Sequence, residues 1–429
     1  MQPQLDYPGM PRYTEALAGW LAAALAGAPL DLRAQTAGWD AGGWAALRWA
    51  IQVHGAAPLL HRALAPAAAA LPPGLRAYLA EQHQLSGQRV ALLLGELGAL
   101  LDACRAAEVE VLALKGSLLA TGYYAEPGLR PMSDLDLLVR PADEARLLAV
   151  LAGLGYQPRE RHWKHLTLAL PAGSGPVVYW HGDHPDNPRS LDLHTRLHER
   201  FLSLAYDLTD DAWAGSAPSL LLGRPARVLA PATLLHHLAI HATSDITDRR
   251  LRLLHLHDIA LVARALSHAD WQALVAGARR RRGERMIYPA LLLAARYFTA
   301  VPPAVLAALR GGVPPALLQF LDASGAYECS FCNPAPLRIA DHMRWFRPGW
   351  EQAAALRHQL IPDPGELAAR FPQLARPGLL PLAYVRYGTE VGRWALRRVL
   401  GRPRNKLAHM RLGAAQQGHT APERVLSAD

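Results

Sequence analysis

Asp134 and Asp136 stand one residue apart in "MSDLDLLVR", a run otherwise rich in leucine and valine. Alternate side chains of a strand share a face, so the two carboxylates point the same way while Leu135, Leu137 and Val139 point to a core. Like charges held this close repel unless a proton or a cation lies between them. A hard divalent ion bound through carboxylate oxygens removes the conflict, and magnesium takes one or two carboxylates together with substrate phosphates. The competing reading is a half-exposed strand whose polar face is simply wet.

Three neighbours favour the metal. "LKGS" (114–117) closes a preceding strand with a small turn that opens a helix, where backbone N–H groups and the Ser117 hydroxyl can meet a phosphate. Asp192, in "SLDLHTRL", is a third carboxylate on an alternating strand, with Leu191 and Leu193 toward the core. Lys115 and Arg130 lie close by in sequence and can neutralise phosphate oxygens. Lys115 carries added weight because the chain has only three lysines, the rest of its basic residues being arginine.

The elements that must hold these residues form a compact α+β unit inside a mainly helical chain. Residues 14 to about 105 are rich in Ala and Leu at helical spacing, broken by "LPPGLR". "VEVLALKG" and "DLDLLV" read as strands, "SLLATGYY" as a helical turn, and "EPGLRPMS" as a loop. "PADEARLLAVLAGLGY" has the acids and closing glycine of a capped helix. "HLTLALPAG", "PVVYWHGD" and "SLDLHTRLH" are further strand candidates. From about residue 208 the pattern returns to helices, and beyond about 326 it is rich in Pro, Trp and Arg, with a loose tail. The expected organisation is a helical region 1–104, a core 105–205, a helical domain 206–325 and a basic region 326–429.

The run "LALKGSLLATGYYAEPGLRPMSDLDLLVRPADEARLLAVLAGLGY" resembles the bacterial uncharacterised nucleotidyltransferase branch of the DNA polymerase β-like superfamily. Gly116-Ser117, Asp134-Leu135-Asp136 and Asp192 fit that superfamily's Gly-Ser turn, Asp-x-Asp strand and third acid, in order. The gap between Ser117 and Asp134 is longer than the commonest superfamily spacing and suits this branch. Flanking phrases such as "IQVHGAAPLLHRAL" extend the likeness over roughly residues 40–265.

The resemblance implies a small mixed-sheet nucleotidyltransferase core and an enzyme that moves a nucleoside monophosphate from an NTP, ATP favoured, to a hydroxyl, releasing pyrophosphate. It implies that Asp134, Asp136 and Asp192 hold two Mg²⁺ (or Mn²⁺) ions, and that Asp192 helps activate the attacking hydroxyl. Gly116 and Ser117 would seat the β- and γ-phosphates, with Lys115 and Arg130 stabilising the triphosphate. The acceptor is a small molecule or a peptide or protein side chain, with RNA less favoured. The alternatives are a nucleotide-binding protein without turnover, and an RNA-modifying enzyme using its basic C-terminal third.

Other features have plainer readings. His194 shares the acidic face with Asp192 and can act as an accessory group, as can His241 from a helix carrying His236 and His237. His194 and His198 have HxxxH spacing without the glutamate of HExxH, which argues against zinc there. Asp258 sits mid-helix among apolar residues, free to reach the nucleotide or a neighbouring helix. "CSFC" lacks a second CxxC, and three cysteines make no disulfide framework, so a reducing cytoplasm is expected. The run Arg279–Arg282 and the net charge of +9 fit a solvated basic surface. No apolar run approaches the ~18 residues of a membrane span, and surface contact by "GRWALRRVLGR" is the weaker membrane option.

Overall fold

A computed structural model describes residues 9–171, 184–201, 204–331, 338–362, 364–374 and 376–400. The strand expected at "PVVYWHGD", Cys332, and the tail beyond residue 400 lie outside the described residues. The fold is α+β. Its strands are β1 (Val111–Ala113), β2 (Asp134–Val139), β3 (Gln157–Arg161), β4 (Leu166–Ala169), β5 (Ser190–His194), β6 (His198–Phe201), β7 (Leu204–Asp207), β8 (Ser216–Leu221) and β9 (Arg224–Leu229).

Seven of them make one mixed sheet in the order β3-β4-β5-β2-β1-β9-β8, and β6 with β7 forms a separate hairpin. β2 is therefore the middle strand, parallel to β5 and antiparallel to β1. Burial on both faces explains the apolar residues beside its aspartates: Leu135, Leu137, Leu138 and Val139 are all within 1 % of complete burial. The wet-edge reading of the acidic strand fails here, because Asp136 is itself buried.

The helix Pro73–Ala106 packs against β2, β9 and the short 3₁₀ turn Pro127–Leu129. Its closest approach is glycine to glycine. A Cβ on Gly128 would sit 2.8 Å from Gly87 Cα, and the neighbouring Ser86 hydroxyl donates to Gly128 O at 2.8 Å. This contact sets where the chain enters β2. Helices Pro231–Thr247, Leu253–Arg264 and Glu284–Phe298 pack on one another, and one apolar core runs continuously from Met10 to Ala355. A small second cluster gathers Leu367, Phe371 and Ala383.

Two expectations need correction. A short helix, Thr209–Ala214, does follow residue 208, but β8 and β9 then intervene before the long helices, and β9 joins the sheet beside β1 in parallel. Their sequence, "SAPSLLLGRPARVL", carries two prolines and a glycine and exposes most of β8, so it lacks a buried alternating face. The strand before the Gly-Ser turn is also shorter than "VEVLALKG", because the next helix already begins at Lys115.

Candidate active site

Strand pairing alone gathers the three aspartates. β2 and β5 run parallel with Asp136 opposite Asp192 and Asp134 opposite Ser190, so all three carboxylates rise from one face of adjacent strands. Asp136 Oδ1 accepts from Lys115 Nζ at 3.0 Å and lies 3.2 Å from His194 Nε2. Asp192 Oδ1 accepts from the Thr167 hydroxyl at 2.7 Å, and its Oδ2 is 3.3 Å from His165 Nε2.

The electrostatics divide the pair. Burial works against the Asp136 carboxylate, but Lys115 and the hydrogen bond from His194 hold it well below the usual range. Asp134 goes the other way: burial and the charges of Asp136 and Asp192 push its carboxyl up to about 6, against the pull of Lys115. Burial also disfavours the Lys115 ammonium, yet Asp136 and Asp134 keep it above its ordinary value. Three carboxylates thus face one ammonium, an excess of negative charge on an all-oxygen donor set. Oxygen donors of this kind suit a hard divalent cation, although the three carboxylates do not converge to within 4.8 Å of one another in this structure.

Lys115 has a left-handed backbone, φ 40°, unusual for a residue with a side chain. This kink turns the chain from β1 into the helix Lys115–Gly122, whose first residue has no side-chain cap before it. The N–H groups of that first turn, including those of Gly116 and Ser117, are the orphan donors of a helix start. The turn lies against the acidic strand, since Leu114 N donates to Asp136 O at 3.0 Å.

Beneath it, Arg130 reaches the same turn from the far side. Its Nε and Nη2 donate to the Asp258 carboxylate at 2.9–3.2 Å, and a Cβ on Gly116 would meet its Nη1 at 2.9 Å. A side chain at 116 would have to displace this guanidinium. Asp258 also accepts from the Tyr124 hydroxyl at 2.6 Å, so its partner is the arginine of the site, not a helix end.

Several residues of this arrangement carry no signal in the sequence. Arg89, from the middle of an apolar helix, is 1 % exposed. Its guanidinium donates to five carbonyls: Met132 and Ser133 at the entrance to β2, and His184, Asn187 and Pro188 before β5. One side chain therefore ties together the starts of the two acidic strands. A lone arginine within "GQRVALLLGELG" was the available clue. Thr167 and His165 come from β4 and the turn before it, and β4 pairs with β5 to set Thr167 opposite Asp192.

Among the remaining singled-out residues, burial and then the nearby charge of Lys115 lower the His241 imidazole below its ordinary value, so this side chain is within electrostatic reach of the site. His241 Nδ1 is 4.0 Å from Glu199 Oε1, and Glu199 also pairs with Lys164. His236 is packed against the Tyr206 hydroxyl at 2.9 Å. In the basic run, Arg280 and Arg281 pair with Asp211 at the end of the helix His268–Arg280, and Arg279 donates to Ala308 O. Cys329 is buried. Among the described residues no helix is long and apolar enough to cross a membrane.

Comparison with solved structures finds the antibiotic-resistance factor ANT(2'')-Ia in solution, 15 % identical with a TM-score of 0.33, covering 45 % of this chain and 94 % of that one. A crystal structure of ANT(2'')-Ia in complex with adenylyl-2''-tobramycin is 16 % identical, TM-score 0.32, over 44 % and 97 % of the two chains. An antigenic nucleotidyltransferase-like protein from Paracoccidioides brasiliensis is 14 % identical, TM-score 0.29, over 50 % and 96 %. No curated protein matches the chain. Residues 40–299, which hold the acidic strands, the Lys115 turn, Arg89 and Asp258, match the family described as "Uncharacterised nucleotidyltransferase". The chain belongs to that nucleotidyltransferase family.

Proposed function

We propose that the protein transfers a nucleoside monophosphate from an NTP to a hydroxyl acceptor and releases pyrophosphate. The observation that carries this reading is the in-register set Asp134, Asp136 and Asp192 on one face of β2 and β5, beside an uncapped helix start. These three residues would hold Mg²⁺ or Mn²⁺, which when bound supplies charge neutralisation on the triphosphate and acceptor oxygens.

The chain's own groups account for the rest. The backbone N–H groups of Gly116 and Ser117 bind β- and γ-phosphate oxygens as fixed dipoles. The Lys115 ammonium, held protonated by the aspartates, leaves Asp136 and pairs with the triphosphate. Arg130 acts from below, fixing the turn through its contact under Gly116. Asp192, oriented by Thr167 and His165, accepts the proton of the acceptor hydroxyl. That oxygen attacks the α-phosphorus, the bond from the α-phosphorus to the oxygen bridging to the β-phosphorus breaks, and pyrophosphate leaves with the electron pair. His194 keeps Asp136 ionised. The acceptor is taken to be a small molecule or a peptide or protein hydroxyl.

The test offers each of the four NTPs, labelled on the α-phosphate, with Mg²⁺ or Mn²⁺ and an extract of the host cell. Label should move from NTP to an acceptor band with the wild-type protein and fall at least about a hundredfold in Asp134→Asn/Asp136→Asn. Equal transfer by that variant would falsify the assignment. Metal-dependent NTP binding with no transfer to any extract component would favour a nucleotide-binding role instead.

A further inference from the structure

Beside the acidic site, within electrostatic reach of Lys115, a second group of side chains has the geometry of a metal shell. His241 and Asp245 lie one turn apart on the helix Pro231–Thr247, and His255 comes from the first turn of the helix Leu253–Arg264. One ligand atom from each of the three falls within 4.8 Å of the others, the single such group among the described residues. His255 Nδ1 is 3.0 Å from Asp245 Oδ2, and His241 Nε2 is 3.8 Å from the same oxygen. Ligands placed about 2.0–2.2 Å from a tetrahedral ion stand about 3.3–3.6 Å apart, so these separations bracket the expected spacing.

His255 Nδ1 lies against the Asp245 carboxylate, and the His241 ring nitrogen completes a triangle of potential ligand atoms. The ring planes of His241 and His255 are tilted by 51° with centroids 5.3 Å apart, so the two imidazoles converge without stacking.

We propose that His241, Asp245 and His255 bind a divalent transition-metal ion of the zinc class, at a site separate from the aspartates. Two imidazoles and one carboxylate suit such an ion and not magnesium, which prefers oxygen ligands and its own water. The surroundings complete the arrangement. Glu199, 5 % exposed, lies 4.0 Å from His241 Nδ1, so a carboxylate stands near the ring nitrogen opposite the one proposed to ligate. Arg250 Nε lies 3.9 Å from the outer oxygen of Asp245. Three protein ligands leave at least one position for water or another ligand, and side-chain exposures of 12–27 % leave an entry path. The ion would staple two helices, and through Glu199 it would bear on Lys164. This site stands independently of the nucleotidyl-transfer reading.

The test uses the untagged full chain, stripped with a chelator and titrated with Zn²⁺, and with Co²⁺ as a spectroscopic probe. One equivalent should bind, with cobalt giving the visible absorption of an imidazole-ligated ion. His255→Ala and the near-isosteric Asp245→Asn should each weaken binding by at least about tenfold, while Asp134→Asn/Asp136→Asn should retain it. Should His255→Ala misfold by circular dichroism, Asp245→Asn decides alone. Absence of stoichiometric binding, unchanged affinity in Asp245→Asn, or loss confined to the Asp134/Asp136 variant would each overturn the proposal.

Discussion

At the residue scale, two aspartates that look alike in sequence are set to opposite tasks by their surroundings. Asp136 is matched by Lys115 and His194, whereas Asp134 is pushed up to about 6 by burial and by its two acidic neighbours. A carboxyl raised above its unfolded value near 3.9 holds its proton more tightly in the folded state. It costs nothing when both states are protonated, and its cost to stability grows as pH rises from about 4 through 6. Asp134→Asn is therefore expected to raise the melting temperature at pH 7.5 by about 1–3 °C, on the order of 1 kcal/mol. That gain should shrink as the pH is lowered toward 4. Asp136 has the opposite sign: its contribution is present above the unfolded pKa and lost as pH falls. Asp136→Asn should lower stability at neutral pH, because it also strips Lys115 of its partner. Thermal melts of both variants from pH 4 to 8 read this directly, and a neutral-pH loss in Asp134→Asn equal to that in Asp136→Asn would refute the division. The spacing of the aspartates was legible in sequence, as was Asp192. Which of them carries the strain was not, since it depends on Lys115 approaching from another element.

At the element scale, what the sequence conveyed is the strand that hides its polar residues among leucines, and what it withheld is the support for that strand. β2 and β5 could be recognised because each shows alternation around an acid. β3 is exposed along its whole length and reads as "QPRER", and β8 is interrupted by Pro218, so neither offers a buried stripe. Arg89 is hidden for a different reason: it donates to five backbone carbonyls, whose positions no side-chain pattern encodes. Buried carbonyls that lose their donor are costly, and a guanidinium offers five donors in a fixed fork. Arg89→Met keeps the apolar length of the side chain and removes every donor. It should cost on the order of 3 kcal/mol in denaturant unfolding and abolish nucleotide binding. Arg89→Lys, with three donors on a flexible stem, should recover less than half of that loss. If Arg89→Met unfolds within about 0.5 kcal/mol of wild type, the entrances to β2 and β5 are held by other contacts.

At the scale of the whole molecule, the acidic unit shares its sheet and a buried ion pair with the chain that follows it. The expected core boundary at residue 205 leaves out β9, which pairs with β1 through Leu112 and Arg227, and so would turn β1 into an unprotected edge. It also leaves out Asp258, the 1 % exposed carboxylate that holds Arg130 under the Gly116 turn. A guanidinium buried without its carboxylate costs about 3–5 kcal/mol, a large share of a domain's net stability of about 5–15 kcal/mol. We therefore expect a fragment spanning 105–205 to show no cooperative thermal transition and to bind no nucleotide. A fragment spanning 40–299 keeps β8, β9, Asp258 and the helix bearing Arg89, and should melt cooperatively and bind NTP. Circular dichroism melts and nucleotide titration of the two fragments distinguish the outcomes. Cooperative folding of 105–205 alone would show that the sheet's second half and the Asp258 helix dress a self-sufficient core. Failure of that fragment beside success of the longer one would show that the site is built by the sheet and the helices together.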